Sequence, residues 1–242
     1  MKTGTLYGIG VGPGDPELIT LKAAKILSQC HHVFAPASER ARESIALSIA
    51  RHHLRPDAKI VSIEFSLTAD RSDLSARWAR AASQVAAVLR AGADVCYLTL
   101  GDPLLYSTYA YLLRELRKQI PDLVAVTVPG VTAFSAAAAL SEFPMGEGKG
   151  GVTIVPTSDD LQTLEQALAG NGTVVIMKIG GRFERVLEIL DRTGRIQQAV
   201  FVGRAGLPGQ RVEPDLHGMA KPEPGTGDLS VILVHGAGEA VP

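Results

Sequence analysis

The sequence predicts an α/β protein of two lobes, with a mostly parallel sheet in the first lobe and a mixed sheet in the second. Three observations lead to this fold class. Apolar strand patterns alternate with amphipathic helix patterns along the chain. The 25 glycines, against 6 Phe and 1 Trp, suit strands and helices joined by many tight turns. A glycine-rich connection without periodicity, residues 142–151, separates the two halves.

The first lobe is predicted to span residues 1–145. Its first strand, residues 5–11, ends in a glycine loop, after which Asp15 can cap a helix that has Pro16 at its first position. Pro36 is expected to end the short second strand. Apolar runs and stripes predict the other elements, which are strands at residues 32–35, 58–63, 95–100 and 124–128, and helices at residues 41–53, 72–91, 107–118 and 133–140.

The second lobe is predicted to span residues 146–242. A hairpin-like segment at residues 206–212 interrupts its strand and helix alternation, and its sheet is expected to be mixed. The remaining patterns predict strands at residues 152–155, 173–177, 199–202 and 229–234, and helices at residues 159–168 and 182–192.

Composition and charge argue against several classes of protein. The formal net charge of −1 does not indicate a surface that coats nucleic acid or binds a membrane, so neither partner is expected. No run approaches the ~18 apolar residues of a membrane span, and the amino terminus shows no signal-peptide pattern. Cys30 and Cys96 form no C-x-x-C pair and are expected to be buried and reduced. A cytoplasmic protein is predicted.

Three turns rich in glycine and proline follow strands of the first lobe. They are residues 10–16 (Gly-Val-Gly-Pro-Gly-Asp-Pro), 101–103 (Gly-Asp-Pro) and 128–133 (Val-Pro-Gly-Val-Thr-Ala). At such turns the sheet ladder stops, and backbone amides and carbonyls are left free. Because ligands of open α/β sheets collect at the carboxyl ends of strands, the three loops predict a ligand site, and with it an enzyme.

The spacing of the glycines argues against two common nucleotide motifs. Starting from Gly8, Gly10 or Gly12, no G-x-G-x-x-G arises, and the acidic residue that would hold a ribose is missing after the second strand. No G-x-x-x-x-G-K-[ST] occurs either. The carboxylates of Asp15 and Asp102 would repel a polyanion. A ligand with a sulfonium, an ammonium and a ribose fits better, and S-adenosyl-L-methionine meets that description.

A metal site and a serine nucleophile are both unsupported. The six histidines form no His-x-x-x-His or Cys/His cluster, so no protein-bound metal is expected. The sequence also contains no G-x-S-x-G elbow.

Several stretches resemble the tetrapyrrole methylases, which are S-adenosylmethionine-dependent enzymes of corrin and sirohaem synthesis. The main ones are residues 8–24, which begin Gly-Ile-Gly-Val-Gly-Pro-Gly-Asp-Pro-Glu, residues 100–108 (Leu-Gly-Asp-Pro-Leu-Leu-Tyr-Ser-Thr) and residues 128–133. Within the family, Phe-Ala-Pro-Ala at 34–37 and Ser-Ile-Ala-Leu-Ser-Ile at 44–49 look most like the enzymes that methylate C20 of precorrin-2 or cobalt-factor II. The resemblance spans nearly the whole chain.

The resemblance implies a homodimer of two-lobed chains, each with the methyl donor folded in a cleft between its lobes. Carried over position by position, it implies that Met177 and Ala205 of the second lobe close over the adenine. The other implied donor contacts are Pro13, Leu100, Gly101, Asp102, Leu105, Ser107, Thr108, Thr132 and Ala133.

The implied acceptor is a small-molecule tetrapyrrole, either metal-free or carrying cobalt, whose acetate and propionate groups require cations nearby. The candidate cations are Arg40, Arg42, Lys178, Arg182 and Arg204. The base that removes the C20 proton is not identified, and the candidates are Asp102, Tyr106 and Glu39. Other members of the family place an Asp after the second strand, where this chain has Pro36.

Two other kinds of function remain open. The same fold could methylate another ring carbon, a modified histidine in diphthine synthesis, or ribosomal RNA, although RNA would call for a more basic surface than a net charge of −1. A non-catalytic nucleotide-binding α/β protein is the other alternative, and the glycine spacing tells against a nicotinamide ligand.

Overall fold

A computed structural model describes residues 2–38, 44–65, 71–219 and 225–236 of the chain. The chain divides into two compact units, Met1–Thr132 and Ala133–Pro242. Within the described residues, each unit contains one five-stranded sheet. The predicted class, two α/β lobes, is therefore confirmed.

The sheet of the first unit is parallel throughout, with strand order β3-β2-β4-β1-β5. Its strands are β1 (Leu6–Gly10), β2 (His32–Ser38), β3 (Lys59–Phe65), β4 (Val95–Thr99) and β5 (Ala125–Val128). The α-helices of this unit are α1 (Leu21–Leu27), α2 (Ile45–Ala50), α3 (Arg71–Arg90) and α4 (Tyr109–Gln119). Helices joining the strands are what a parallel sheet requires.

The central strands of this sheet are buried on both faces. All five residues of β4 are buried, which explains the unbroken apolar run that predicts it. Ala82, Val85 and Leu89 form the predicted apolar stripe of α3, and each is fully buried. Tyr97 of β4 and Tyr109 of α4 belong to the same core cluster and stack with ring centroids 6.2 Å apart.

The sheet of the second unit is mixed, with strand order β6-β7-β10-β8-β9. Its strands are β6 (Val152–Pro156), β7 (Thr173–Met177), β8 (Ala199–Gly203), β9 (Arg211–Glu213) and β10 (Ser230–Val234). β6 and β7 are parallel, β10 is antiparallel to both β7 and β8, and β8 and β9 form the predicted hairpin. The α-helices of this unit are α5 (Ala133–Leu140), α6 (Gln162–Leu168) and α7 (Phe183–Arg192).

The division between the units differs from the predicted lobe boundary between residues 145 and 146. Helix α5 contacts β10, so residues 133–145 belong with the second unit. The glycine-rich connection after α5 lacks periodicity, but it lies inside that unit.

The second strand is longer than predicted, and Pro36 does not end it. β2 pairs with β4 only as far as Phe34, whereas its pairing with β3 continues to Ser38. Among the described residues, β2 has no ladder partner on that side beyond Phe34, and a residue without an N–H is tolerated there. The start of the helix predicted at residues 41–53 lies outside the described residues. The described helix is α2, followed by a short 3₁₀ turn at Arg51–His53.

Candidate functional site

The three predicted loops lie together at one edge of the first sheet. Strands β4, β1 and β5 are neighbours, and all three run in the same direction. Their carboxyl ends therefore meet, and each is followed by one of the glycine and proline loops at residues 10–16, 101–103 and 128–133. This is the position at which open α/β sheets bind ligands.

The first two loops are joined by backbone hydrogen bonds. Gly12 and Gly101 form an isolated antiparallel bridge, in which the Gly101 amide donates to the Gly12 carbonyl at 2.7 Å. Both residues have left-handed backbone angles, with φ of 81° and 69°. Glycine adopts this region at little cost, so these backbone angles explain why both positions are glycine.

Asp102 joins the second loop to the third. Its Oδ1 atom accepts the Leu104 amide at 2.8 Å, and its Oδ2 atom accepts the Gly130 amide at 3.1 Å. Both carboxylate oxygens are thus engaged with backbone donors of the loops. This arrangement gives Asp102 a positioning role and does not favour it as the base that removes a proton.

Close backbone packing explains the glycine of the third loop. A Cβ atom at Gly130 would lie 2.2 Å from the Gly101 carbonyl oxygen, and one at Gly10 would lie 2.6 Å from the Gly130 nitrogen. No side chain fits at either position, so the three loops approach one another through their backbones. A ligand at this edge would meet mainly amides, carbonyls and small side chains.

Hydrogen bonds of Ser107 and Thr108 fix the segment that leads from the Gly-Asp-Pro turn into α4. The Ser107 hydroxyl accepts the Tyr109 amide at 3.0 Å, and the Thr108 hydroxyl lies 2.9 Å from the Tyr97 hydroxyl. Burial raises the pKa of the Tyr97 phenol well above its ordinary value, so it stays neutral. Tyr106 has a φ of 50°, an unusual conformation for a residue other than glycine, and its side chain is exposed.

The remaining predicted donor contacts of the first unit lie on these loops. Pro13 is buried in the first loop, and Leu100 and Leu105 are half-buried on either side of the Gly-Asp-Pro turn. Thr132 is the last residue of the first unit, and Ala133, the last residue of the third loop, begins α5 of the second unit. Glu39, Arg40 and Arg42 lie outside the described residues.

The predicted residues of the second unit share one edge of its sheet. Met177 ends β7, and Ala205 follows β8 after one intervening residue. Because β10 is antiparallel to both strands, their carboxyl ends lie at the same edge. Lys178 and Arg204, which come directly after these strands, have φ of 57° and 52°. Sequence reasoning missed this shared left-handed backbone, because only glycine signals it in a sequence.

The three cationic candidates of this unit differ in how they are engaged. Arg182 is paired with Asp159, with Nη2 and Oδ1 2.6 Å apart. The Nε atom of Arg204 donates to the Pro208 carbonyl at 2.7 Å. Lys178 keeps an exposed surface, yet desolvation by the atoms around its ammonium lowers its pKa. A neighbouring carboxylate would favour the charged form of Lys178.

The described residues lack two features, a metal-binding cluster and a membrane-spanning helix. No group of three or more His, Cys, Asp or Glu side chains in the described part of the chain is arranged to hold a metal ion. Within the same residues, no helix has the length and apolar character needed to cross a membrane. Cys30 and Cys96 are both free thiols and both buried, as predicted.

Comparison with known proteins identifies the family. A family model described as tetrapyrrole (corrin/porphyrin) methylases matches residues 5–218. This range includes all three loops of the first unit and most of the second unit. The chain belongs to the tetrapyrrole methylase family, as its sequence motifs indicated.

Individual relatives agree with this assignment. The chain is 34% identical over 214 residues to the cobalt-precorrin-2 C(20)-methyltransferase of Salmonella typhimurium, covering 88% of this chain and 89% of the relative. It is 32% identical over 212 residues to the precorrin-2 C(20)-methyltransferase of a Sinorhizobium species, covering 84% and 85%. These relatives are methyltransferases of similar length to this protein.

Solved structures show the same fold. The cobalt precorrin-4 methyltransferase CbiF aligns with a TM-score of 0.74 at 21% identity, covering 96% of this chain and 94% of that one. The uroporphyrin-III C-methyltransferase of Thermus thermophilus, in complex with S-adenosyl homocysteine, aligns with a TM-score of 0.65 at 24% identity, covering 96% and 97%. Both alignments cover the two α/β units of the chain.

Proposed function

We propose that the protein transfers a methyl group from S-adenosyl-L-methionine to C20 of precorrin-2 or of its cobalt complex, in the synthesis of the corrin ring. The observation that carries this proposal is the 34% identity to a C20-methyltransferase over 88% of the chain. The three joined loops of the first unit support it, because they leave a surface of backbone and small side chains.

The loops suit this donor better than a phosphate ligand. Asp102 adds a carboxylate to the loop edge, which a sulfonium and an ammonium tolerate and a polyphosphate does not. Because Gly10 and Gly130 have no side chain, no Cβ atom projects at the place where the loops meet. We propose that this edge holds the donor, with Pro13, Leu100 and Gly101 among its contacts. For Met177 and Ala205 we retain the adenine contacts that the resemblance implies.

The chemistry requires little from the protein beyond alignment. The bound donor supplies a methyl group on a positively charged sulfur. A bond forms between C20 and this methyl carbon as the carbon–sulfur bond breaks, the bond pair returns to sulfur, and C20 then loses its proton. Holding the reacting atoms in line is worth up to ~7–11 kcal/mol. The hydrogen bonds that join the three loops help to keep the bound donor in one position.

Binding of the acceptor requires cations for its rim carboxylates. We propose that Lys178 and Arg204, with Arg182, serve in this role, since each lies just after a strand of the second sheet or a few residues beyond one. The lowered pKa of Lys178 supports the assignment, because a substrate carboxylate would relieve the cost of its desolvation. Arg40 and Arg42 are proposed from the sequence alone.

A direct assay tests the function. The purified protein is incubated with the donor and with precorrin-2 or its cobalt complex, and the product is analysed by mass spectrometry and NMR. One added methyl group at C20, with release of S-adenosyl homocysteine, is expected. A methyl group at another ring carbon would support the alternative activity, and an unchanged acceptor with an active control enzyme would refute both. Comparing the two acceptors decides whether cobalt is present in the working substrate.

We further propose that the protein works in the cytoplasm as a homodimer. The two buried free cysteines support a reducing compartment. The homodimer is carried over from the family resemblance. Sedimentation analysis of the purified protein tests it, and a monomer at micromolar concentration would contradict it.

A further inference from the structure

Tyr106 adopts a backbone conformation that costs free energy. Its φ of 50° lies in the left-handed region, where the Cβ of any residue except glycine is crowded by the neighbouring carbonyl. Strain of this kind persists only where the surrounding structure enforces it, and it clusters at functional sites. Tyr106 lies four residues after Asp102, in the segment that leads from the Gly-Asp-Pro turn to α4.

Both ends of this segment are fixed by hydrogen bonds. On one side Asp102 accepts the Leu104 amide at 2.8 Å. On the other side the Ser107 hydroxyl accepts the Tyr109 amide at 3.0 Å. These two contacts hold the backbone on either side of Tyr106, whose own conformation is left-handed.

The segment exposes apolar side chains where burial would be the default. Leu104 is 63% exposed and Tyr106 is 43% exposed, while Leu105 between them is half-buried. These two exposed side chains lie two residues apart, next to the loop proposed to bind the donor, and they offer apolar surface to a ligand there. We call the exposed side chains of Leu104 and Tyr106 the 104/106 platform.

We propose that the 104/106 platform packs against the face of the tetrapyrrole acceptor and helps to select it, an assignment that rests on the proposed function. A tetrapyrrole presents a broad apolar face, with its carboxylates confined to the rim. An aliphatic side chain and an aromatic ring suit such a face, and the phenol hydroxyl of Tyr106 can reach a polar rim group. The platform is continuous with the Gly101–Asp102 loop proposed to hold the donor, which favours the acceptor over a second copy of the chain as its occupant.

The decisive variant is Tyr106→Gly. Glycine removes the ring and also accepts a left-handed backbone, so the variant is expected to fold with a melting temperature equal to or above that of the wild type. We expect the KM for the tetrapyrrole to rise at least tenfold, while the KM for S-adenosylmethionine changes less than twofold. Direct titration of the tetrapyrrole, followed by its absorbance, should show the same loss of affinity without turnover.

Two further variants make the test specific. Tyr106→Phe keeps the ring and is expected to recover most of the affinity that Tyr106→Gly loses. Tyr111→Ala is the matched control: Tyr111 is a tyrosine 51% exposed on α4, where its ring stacks on Trp78 with centroids 5.2 Å apart. It is expected to leave the KM of both substrates within twofold of the wild-type values.

The possible outcomes separate the platform from the proposed function. An unchanged tetrapyrrole KM in Tyr106→Gly overturns the platform even if C20 methylation is confirmed. A shift of Tyr106→Gly from dimer to monomer in sedimentation, with unchanged tetrapyrrole affinity, assigns the surface to a contact between copies and also overturns it. If the wild type methylates nothing but binds the tetrapyrrole, and Tyr106→Gly loses that binding, the platform holds and the proposed reaction fails.

Discussion

The carboxylate of Asp102 accepts the backbone amide of Gly130 at 3.1 Å and thereby joins the loop after β4 to the loop after β5. The same carboxylate accepts the Leu104 amide at 2.8 Å. A second connection, the bridge between Gly12 and Gly101, joins the loop after β1. The three loops are therefore one connected structure, and we expect the loss of one of these connections to weaken donor binding.

Replacing Asp102 with asparagine tests this connection. The amide group of asparagine offers an N–H where the backbone requires an acceptor, so one of the two hydrogen bonds is lost at a cost of about 1–3 kcal/mol. We expect the dissociation constant for S-adenosyl homocysteine to rise at least about tenfold. Isothermal titration calorimetry measures it, and an affinity equal to that of the wild type would contradict the assigned role.

The matched control for this variant lies at the other end of the same strand. Asp94 precedes β4, and its Oδ1 atom accepts the Thr5 amide at 2.7 Å, at the edge opposite the three loops. Asp94→Asn is expected to lower the melting temperature slightly and to leave the donor affinity unchanged. If both variants weaken donor binding equally, the loss reflects general destabilisation.

Two glycine substitutions separate close packing from backbone strain. In Gly130→Ala the new Cβ would lie 2.2 Å from the Gly101 carbonyl oxygen, so the loops must move apart. We expect a loss of about 3 kcal/mol or more in the free energy of unfolding. In Gly101→Ala the new Cβ would lie 3.9 Å from the Val131 carbonyl oxygen, an ordinary contact, so the φ of 69° is what opposes the substitution. A loss of about 1–2 kcal/mol is expected there, and thermal unfolding compares the two.

A larger side chain at Gly101 tests the position of the donor. The Cβ at this position has space, so Gly101→Arg should fold with a stability close to that of Gly101→Ala. Its guanidinium would fill the loop edge, and we expect binding of S-adenosyl homocysteine to be abolished. Calorimetry that shows unchanged affinity in a folded Gly101→Arg protein would place the donor elsewhere.

The elements of the fold are well predicted from sequence because local patterns determine them. Burial on both faces gives β4 an unbroken apolar run, and one-sided burial gives α3 its stripe of Ala82, Val85 and Leu89. The errors concern non-local contacts. The packing of α5 against β10 assigns α5 to the second unit, and the continued pairing of β2 with β3 carries that strand past Pro36. Neither contact leaves a signal within its own segment.

The candidate site was predictable in outline and not in detail. Glycine and proline at three strand ends locate the loops, since few other residues form such turns. The connections between the loops depend on how β4, β1 and β5 are ordered, which the sequence does not show. The left-handed backbone conformations of Tyr106, Lys178 and Arg204 could not be predicted either. Nothing in a sequence distinguishes a tyrosine, lysine or arginine in a strained conformation from one in an ordinary conformation.

The buried Arg195 should be important for the stability of the second unit. It is 5% exposed, and its guanidinium donates to the carbonyls of Leu168, Gly170 and His235. Arg195→Met would leave these three acceptors without their donor, and we expect a loss of about 3–5 kcal/mol measured by urea unfolding. Arg192→Met is the control, because the exposed pair between Arg192 and Glu165 is worth about 1 kcal/mol or less. Equal losses would contradict this account of Arg195.

Removing the ammonium group of Lys178 should raise the stability of the protein and weaken its binding of the acceptor. Desolvation lowers its pKa below the ordinary value of 10.5, so the folded state holds the proton less tightly than the unfolded state does. The resulting penalty on stability is fully present below the lowered pKa and disappears as the pH rises through it towards 10.5. Lys178→Met removes the penalty and keeps a chain of similar length in the same backbone conformation.

We therefore expect Lys178→Met to be slightly more stable than the wild type at pH 7, with the difference vanishing near pH 10.5. The gain should stay below about 1 kcal/mol, because solvent screens a partly exposed side chain. The same variant should raise the KM for the tetrapyrrole at pH 7, since it lacks the cation proposed to bind a rim carboxylate. Lys118→Met, which removes an exposed lysine paired with Glu115 on α4, should show neither effect. Urea unfolding at both pH values tests the stability difference, and steady-state kinetics test the change in KM. A Lys178→Met protein that is less stable than the wild type at pH 7 and has an unchanged KM would contradict both expectations.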